Sequence, residues 1–119
     1  MTKLQRVGFY RQMPHGEPTD PDITAASADV AGPDEEALAS YLDAGHVYIA
    51  TAGIVTDVVD GRTPIGPAHY LTDGTYVWPG DVAYYVRTYH LRLPDGFVDH
   101  ARSNGWAVPA STDLSQLQL

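Results

Sequence analysis

The sequence predicts an α+β fold: an antiparallel β-meander of about four strands packed against two to three helices. Three observations predict it. Short apolar and aromatic segments between Val47 and Trp78 are punctuated by Asp60-Gly61 and Asp73-Gly74, the pair favoured where a hairpin turn needs positive φ at both central positions. Two stripes, Leu38-Tyr41-Leu42 and Val82-Tyr85-Val86-Tyr89, repeat instead at helical spacing. Finally, 119 residues with 44% hydrophobic and 18% charged content can close one unaided core.

In chain order, Val7-Gly8-Phe9-Tyr10-Arg11 reads as a short strand by its aromatic content and polar flanks. Residues 12–33 hold four prolines and two glycines, which predicts a long loop with a helical turn near Ala25–Val30. Pro33 suits the first position of a helix, since its missing N–H would have no partner there. Asp34, Glu35 and Glu36 then favour the positive end of the helix dipole, and Gly45 ends the helix in a left-handed cap. His46–Val59 is read as a central strand, apolar on both faces, with a bulge or close approach at Gly53. Ile65–Leu71 and Thr75–Trp78 return as the next two strands of the meander. Asp81 is placed to cap or open a second helix carrying Val82, Tyr85, Val86 and Tyr89 inward. A third helix runs from about Pro94 to Asn104 and stops at Gly105. Residues 1–106 are expected to form the domain, and 107–119, mixing Pro, Ser, Thr, Gln and Leu, a loose tail.

Charge and composition exclude several classes of function. The formal net charge is −8, and it is uneven: ten acidic residues face three basic ones through Gly61, whereas five aspartates face four arginines afterwards. Such a chain repels phosphate backbones, so nucleic acid is not an expected partner, whereas a basic protein is. Cysteine is absent, which removes disulfides, thiolate ligands and thiol nucleophiles together. No apolar run approaches a membrane span, and none follows the basic start Met1–Arg6 as a secretory signal requires, so the expected location is cytoplasmic.

The candidate chemistry is thin. His15, His46, His69, His90 and His100 form no i, i+4 pair, so neither a metal site nor a cofactor is expected. Asp57 and Asp60 sit at a turn, where aspartate is favoured for local backbone bonds. Serines occupy no Gly-x-Ser-x-Gly elbow, and no glycine-rich phosphate loop occurs. On the second helix Tyr84 lies off the core stripe beside Arg87, a composition enriched at binding hot spots.

Two readings follow. The first is a non-enzymatic protein-binding module with an acidic surface, whose contact residues are Glu35, Glu36, Asp43, Tyr84 and Arg87. The second is a small-molecule-binding domain or enzyme with a pocket between the sheet and the C-terminal helices, lined by His46, His69, Asp81 and Tyr84. Homo-oligomerisation is a further possibility for either.

The segments Leu71–Val86 and Tyr89–Phe97 contain Asp73-Gly74-Thr75-Tyr76-Val77-Trp78, Asp81-Val82-Ala83-Tyr84-Tyr85 and Leu93-Pro94-Asp95-Gly96-Phe97. This strand–helix–LPxxF pattern is similar to one in small uncharacterised bacterial proteins, some of which resemble immunity partners of polymorphic toxins. The resemblance implies a protein-binding role and names no catalytic residue.

Overall fold

The structure, a computed structural model, describes residues 2–67, 69–110 and 113–119. Its elements are β1 (Thr2–Lys3), β2 (Gln5–Arg6), α1 (Ile23–Ala26), α2 (Glu35–Asp43), β3 (His46–Ile49), β4 (Val55–Thr56) and β5 (Pro64–Gly66). They continue as β6 (Tyr70–Thr72), β7 (Tyr76–Pro79), α3 (Val82–Tyr89), α4 (Asp95–Ser103), a 3₁₀ turn at Leu114–Gln116, and β8 (Leu117–Gln118). The fold is α+β, with a principal sheet of four strands in the order β2-β7-β6-β3.

Alternation along β7 assigns the two faces of that sheet. Trp78 points to the helix layer, where it joins Leu71, Leu38, Tyr41, Leu42, Val82, Tyr85, Val86 and Phe97 in one core. Val77, one residue earlier, points the other way and meets Leu4, Phe9 and Leu117. Trp78 and Phe97 are edge-on with centroids 5.5 Å apart, and the indole N–H donates to the Leu42 carbonyl at 3.0 Å. The largest ring in the core is therefore both packed and hydrogen-bonded. Gly45 serves this packing: a Cβ there would lie 2.6 Å from the Trp78 ring and 2.9 Å from Leu71 Cβ. Close approach, not the expected left-handed cap, explains the glycine.

The meander holds for β3, β6 and β7, which pair antiparallel in sequence. Elsewhere the structure differs from the expectation. The strand read over His46–Val59 is broken after Ile49, and Gly53 takes φ +90 in the gap, a conformation side-chain-bearing residues rarely adopt. β4 then leaves the main sheet to pair with β5 as a separate ribbon, Val55 opposite Gly66. The strand read over Ile65–Leu71 is likewise divided into β5 and β6, because Pro67, in the gap between them, cannot donate to a continuous ladder.

At the N-terminus the strand is Gln5–Arg6, shifted ahead of Val7–Arg11, and it runs parallel to β7. Val7 still donates its N–H to the Val77 carbonyl at 3.0 Å, but Phe9 and Tyr10 are buried outside any strand, so their apolar character reports packing and not pleat. α1 lies at Ile23–Ala26, slightly before the expected turn, capped by the Asp22 carboxylate on the Thr24 N–H at 2.8 Å. α2 opens at Glu35 behind Asp34 at φ 60, which places Pro33 outside the first turn. The tail is not loose at its end. β8 pairs parallel with β1, Leu117 is buried, and the Leu4 N–H donates to the Gln118 carbonyl at 2.7 Å. Leu114 and Leu117 cover the sheet face opposite the helices; that burial ties down a segment whose composition reads as irregular.

Candidate functional site

α3 organises the polar interior because both of its flanks carry hydroxyls. Tyr85 lies on the core face, yet its Oη accepts from the Val58 N–H at 3.0 Å. Tyr84 and Tyr89 both donate to Asp57 Oδ2, at 2.7 and 2.6 Å. The other oxygen, Oδ1, accepts from the N–H groups of Val59 (2.7 Å) and Asp60 (3.1 Å). Asp57 is fully buried. Burial alone would raise its pKa, but the bonds from Tyr89, Tyr84 and the two N–H groups outweigh it and hold the carboxyl below its ordinary value. The cost falls on the phenols: donating to Asp57 pushes Tyr84 and Tyr89 up, and burial pushes Tyr85 up to about 12. These three rings clasp the turn after β4 to the helix.

A second buried carboxylate, Asp73, closes the β6–β7 turn. Its Oδ1 accepts from Thr75 and Tyr76 N–H at 2.9 and 2.8 Å, and Oδ2 accepts from Tyr41 Oη at 2.6 Å. Asn104 donates to the same Tyr41 oxygen at 3.1 Å. His100 Nε2 stands 3.1 Å from Asp73 Oδ2 without the alignment of a hydrogen bond.

The third, Asp81, precedes α3 and makes no side-chain cap bond. Its Oδ1 lies 3.6 Å from His15 Nε2; both atoms are buried and neither has a hydrogen-bond partner. Phe9 and Tyr70 close over the imidazole edge-on at 5.6 and 6.2 Å. Burial pushes Asp81 up to about 6, and burial together with the Arg6 charge lowers His15, against an opposing pull from Asp20. Capping by Asp81, expected from its position, does not occur because the side chain turns toward the 12–33 loop.

Of the acidic-face residues, Glu36, Asp43 and Arg87 come together. Arg87 Nη1 donates to Asp43 Oδ2 at 2.7 Å, and Nη2 and Nε reach Glu36 at 3.0 and 3.2 Å. This pairing lowers the Glu36 carboxyl. Glu35 sits on the next flank, 2.7 Å from His90 Nδ1. Tyr84 does not join them; its hydroxyl is committed to Asp57. Arg102 extends the pattern between Asp99 and Asp34. Arginines from the second half thus fold back onto acids of the first, so the charge asymmetry along the chain is partly cancelled in space.

The residues expected to line a pocket are not brought together. His46 Nε2 meets the Pro109 carbonyl at 2.7 Å, and His69 Nδ1 accepts from the Thr51 N–H at 2.9 Å. Asp81 pairs with His15, and Tyr84 with Asp57. The clefts lie elsewhere. One of about 290 Å³ opens between α2 and α4 over Leu38, Val86, Leu91, Leu93 and Val98. Another of about 480 Å³ runs beside α1 past Asp29, Thr88 and His90. Among the described residues no three metal-ligating side chains converge, and no helix is long and apolar enough to cross a membrane.

The tyrosine clasp and the His15–Asp81 pair were not singled out by pattern. A signal existed for the first: one helix of eight residues carrying three tyrosines has more rings than its core stripe can seat. His15, alone in an irregular loop, gave none. No protein-family model matches the chain, and no match appears among curated proteins or solved structures.

Proposed function

We propose that the chain is a non-enzymatic, cytoplasmic protein-binding module, immunity-like in the sense of the resemblance above, that offers the acidic outer surface of its helices to a basic partner. One observation carries this reading. Exposed Glu36 and Asp43 share a single guanidinium, and Asp34 and Asp99 share another, so each cluster keeps a surplus negative charge in a held geometry. Carboxylates already ordered lose less side-chain freedom on docking than free ones would. Surface charge of this kind acts mainly on partner choice and encounter rate. The buried carboxylates support the same reading from the other side, since each faces backbone, phenol or imidazole in the interior and none lines the two clefts described above.

Capture from the native host at low and high salt tests it, with wild type beside Glu36→Lys/Asp43→Lys. A partner held at low salt, released by salt and lost in the double variant is the expected result. An empty capture at both salts, or a partner indifferent to charge reversal, would sink the reading.

The cleft over Leu38, Val86 and Leu93 favours a second reading, in which a small molecule binds between α2 and α4. A thermal-shift screen separates the two: a ligand at about 100 times its Kd adds roughly 2.7 kcal/mol to stability.

A further inference from the structure

The sheet ends of this protein are guarded unequally. β2, one edge of the principal sheet, carries Arg6, whose guanidinium is held by Asp20. The β4–β5 ribbon carries Pro64 and is followed or preceded by Asp57, Asp60 and Arg62. The β1–β8 ribbon carries Lys3. Charge and proline of this sort are what keep strand edges from pairing with other chains. β3, the opposite edge of the principal sheet, has neither. It lies within residues 44–56, thirteen positions without Asp, Glu, Lys, Arg or Pro and the longest uncharged run in the chain. Val47 and Ile49 on β3 are 48% and 37% exposed, and Ile54 beyond it is 64% exposed. Val47 is paired with Leu71, yet the helix layer that buries Leu71 leaves Val47 open.

We propose that β3 is a self-association edge: two copies of this chain join β3 to β3, antiparallel across a two-fold axis, into one continuous sheet. The occupant follows from charge. Two molecules of net charge −8 approach most readily where neither carries charge at the contact, and of the two edges of the principal sheet β3 meets that condition whereas β2, with Arg6, does not. A strand paired antiparallel with its own copy is self-complementary by symmetry, so the same backbone groups and aliphatic side chains satisfy both sides. The register shift between Val47 and Ile49 keeps the paired stretch short, which puts the dimer in the small-interface, reversible class.

Sedimentation equilibrium from low micromolar to millimolar protein tests this, at low and high salt. The expected weight-average mass climbs from one chain toward two as concentration rises, and climbs earlier in high salt because screening weakens the mutual repulsion. Val47→Lys and Ile49→Lys, both at exposed positions, stay monomeric while keeping the wild-type thermal midpoint. Amide exchange over 46–50 slows with concentration in wild type only. A constant monomer mass, association that weakens with salt, or dimers that survive both lysine variants would each overturn the proposal. Salt separates this contact from the basic partner proposed above, whose binding weakens as salt is added.

Discussion

Asp57 and Asp81 lie at the two ends of the same problem. Both are aspartates at the start of a turn or helix, and both are buried to about the last percent of their surface. Asp57 meets four donors, two phenols and two N–H groups, and ionises more readily than a free aspartate. Asp81 meets an imidazole 3.6 Å away and no donor for Oδ1, and its pKa climbs to about 6. Burial is common to both, so the difference teaches that donors, not depth, decide which state a hidden carboxylate prefers.

The largest expected effect comes from removing the satisfied one. Asp57→Ala strands two phenols and two N–H groups in the interior and should cost about 3 kcal/mol in urea unfolding. A loss within experimental error of zero would break the comparison. Tyr89→Phe removes one charge-assisted bond and leaves the ring, so a loss of about 1.5 kcal/mol is expected by the same measurement.

Asp81→Asn should act in the opposite direction. An unfolded aspartate ionises near 3.8 and the folded one near 6, so wild type loses stability as pH rises from about 4 to 6 and holds that loss above. The asparagine variant lacks this slope and should gain about 1 kcal/mol at pH 7, less than the full linkage because its amide is also short of partners. His15 works from the acid side. Its folded pKa is lowered, so the unfolded chain takes the proton first and stability falls as pH drops below 6.5. His15→Gln should flatten that limb and leave neutral pH almost unchanged, as thermal unfolding across pH would register. The smallest effect belongs to the surface: Glu36→Gln, exposed beside Arg87, should leave the urea midpoint within error of wild type.

Helices were readable from spacing alone: Leu38, Tyr41 and Leu42, and Val82, Tyr85 and Val86, are buried where the stripe put them. The β6–β7 hairpin was equally readable from Asp73-Gly74. Strand partners were not. Nothing local separates a 46–59 strand from two short ones divided at Gly53, and nothing local predicts that β2 lies parallel to β7. Of the candidate site, Glu36, Asp43 and Arg87 were nominated by charge and helix position, and they do meet. Tyr84 was nominated for an outward role that Asp57 claims instead.

Sequence by itself determined the α+β class, the three longer helices, the final hairpin and the negative charge, because each depends on neighbours within a turn or two of chain. Tertiary structure alone decided which sheet edge stays bare, which arginine answers which acid, and which buried aspartate finds donors. Those outcomes join residues far apart in the chain, such as Arg102 and Asp34, 68 positions apart, and no periodicity in a chain records a distance that only folding closes.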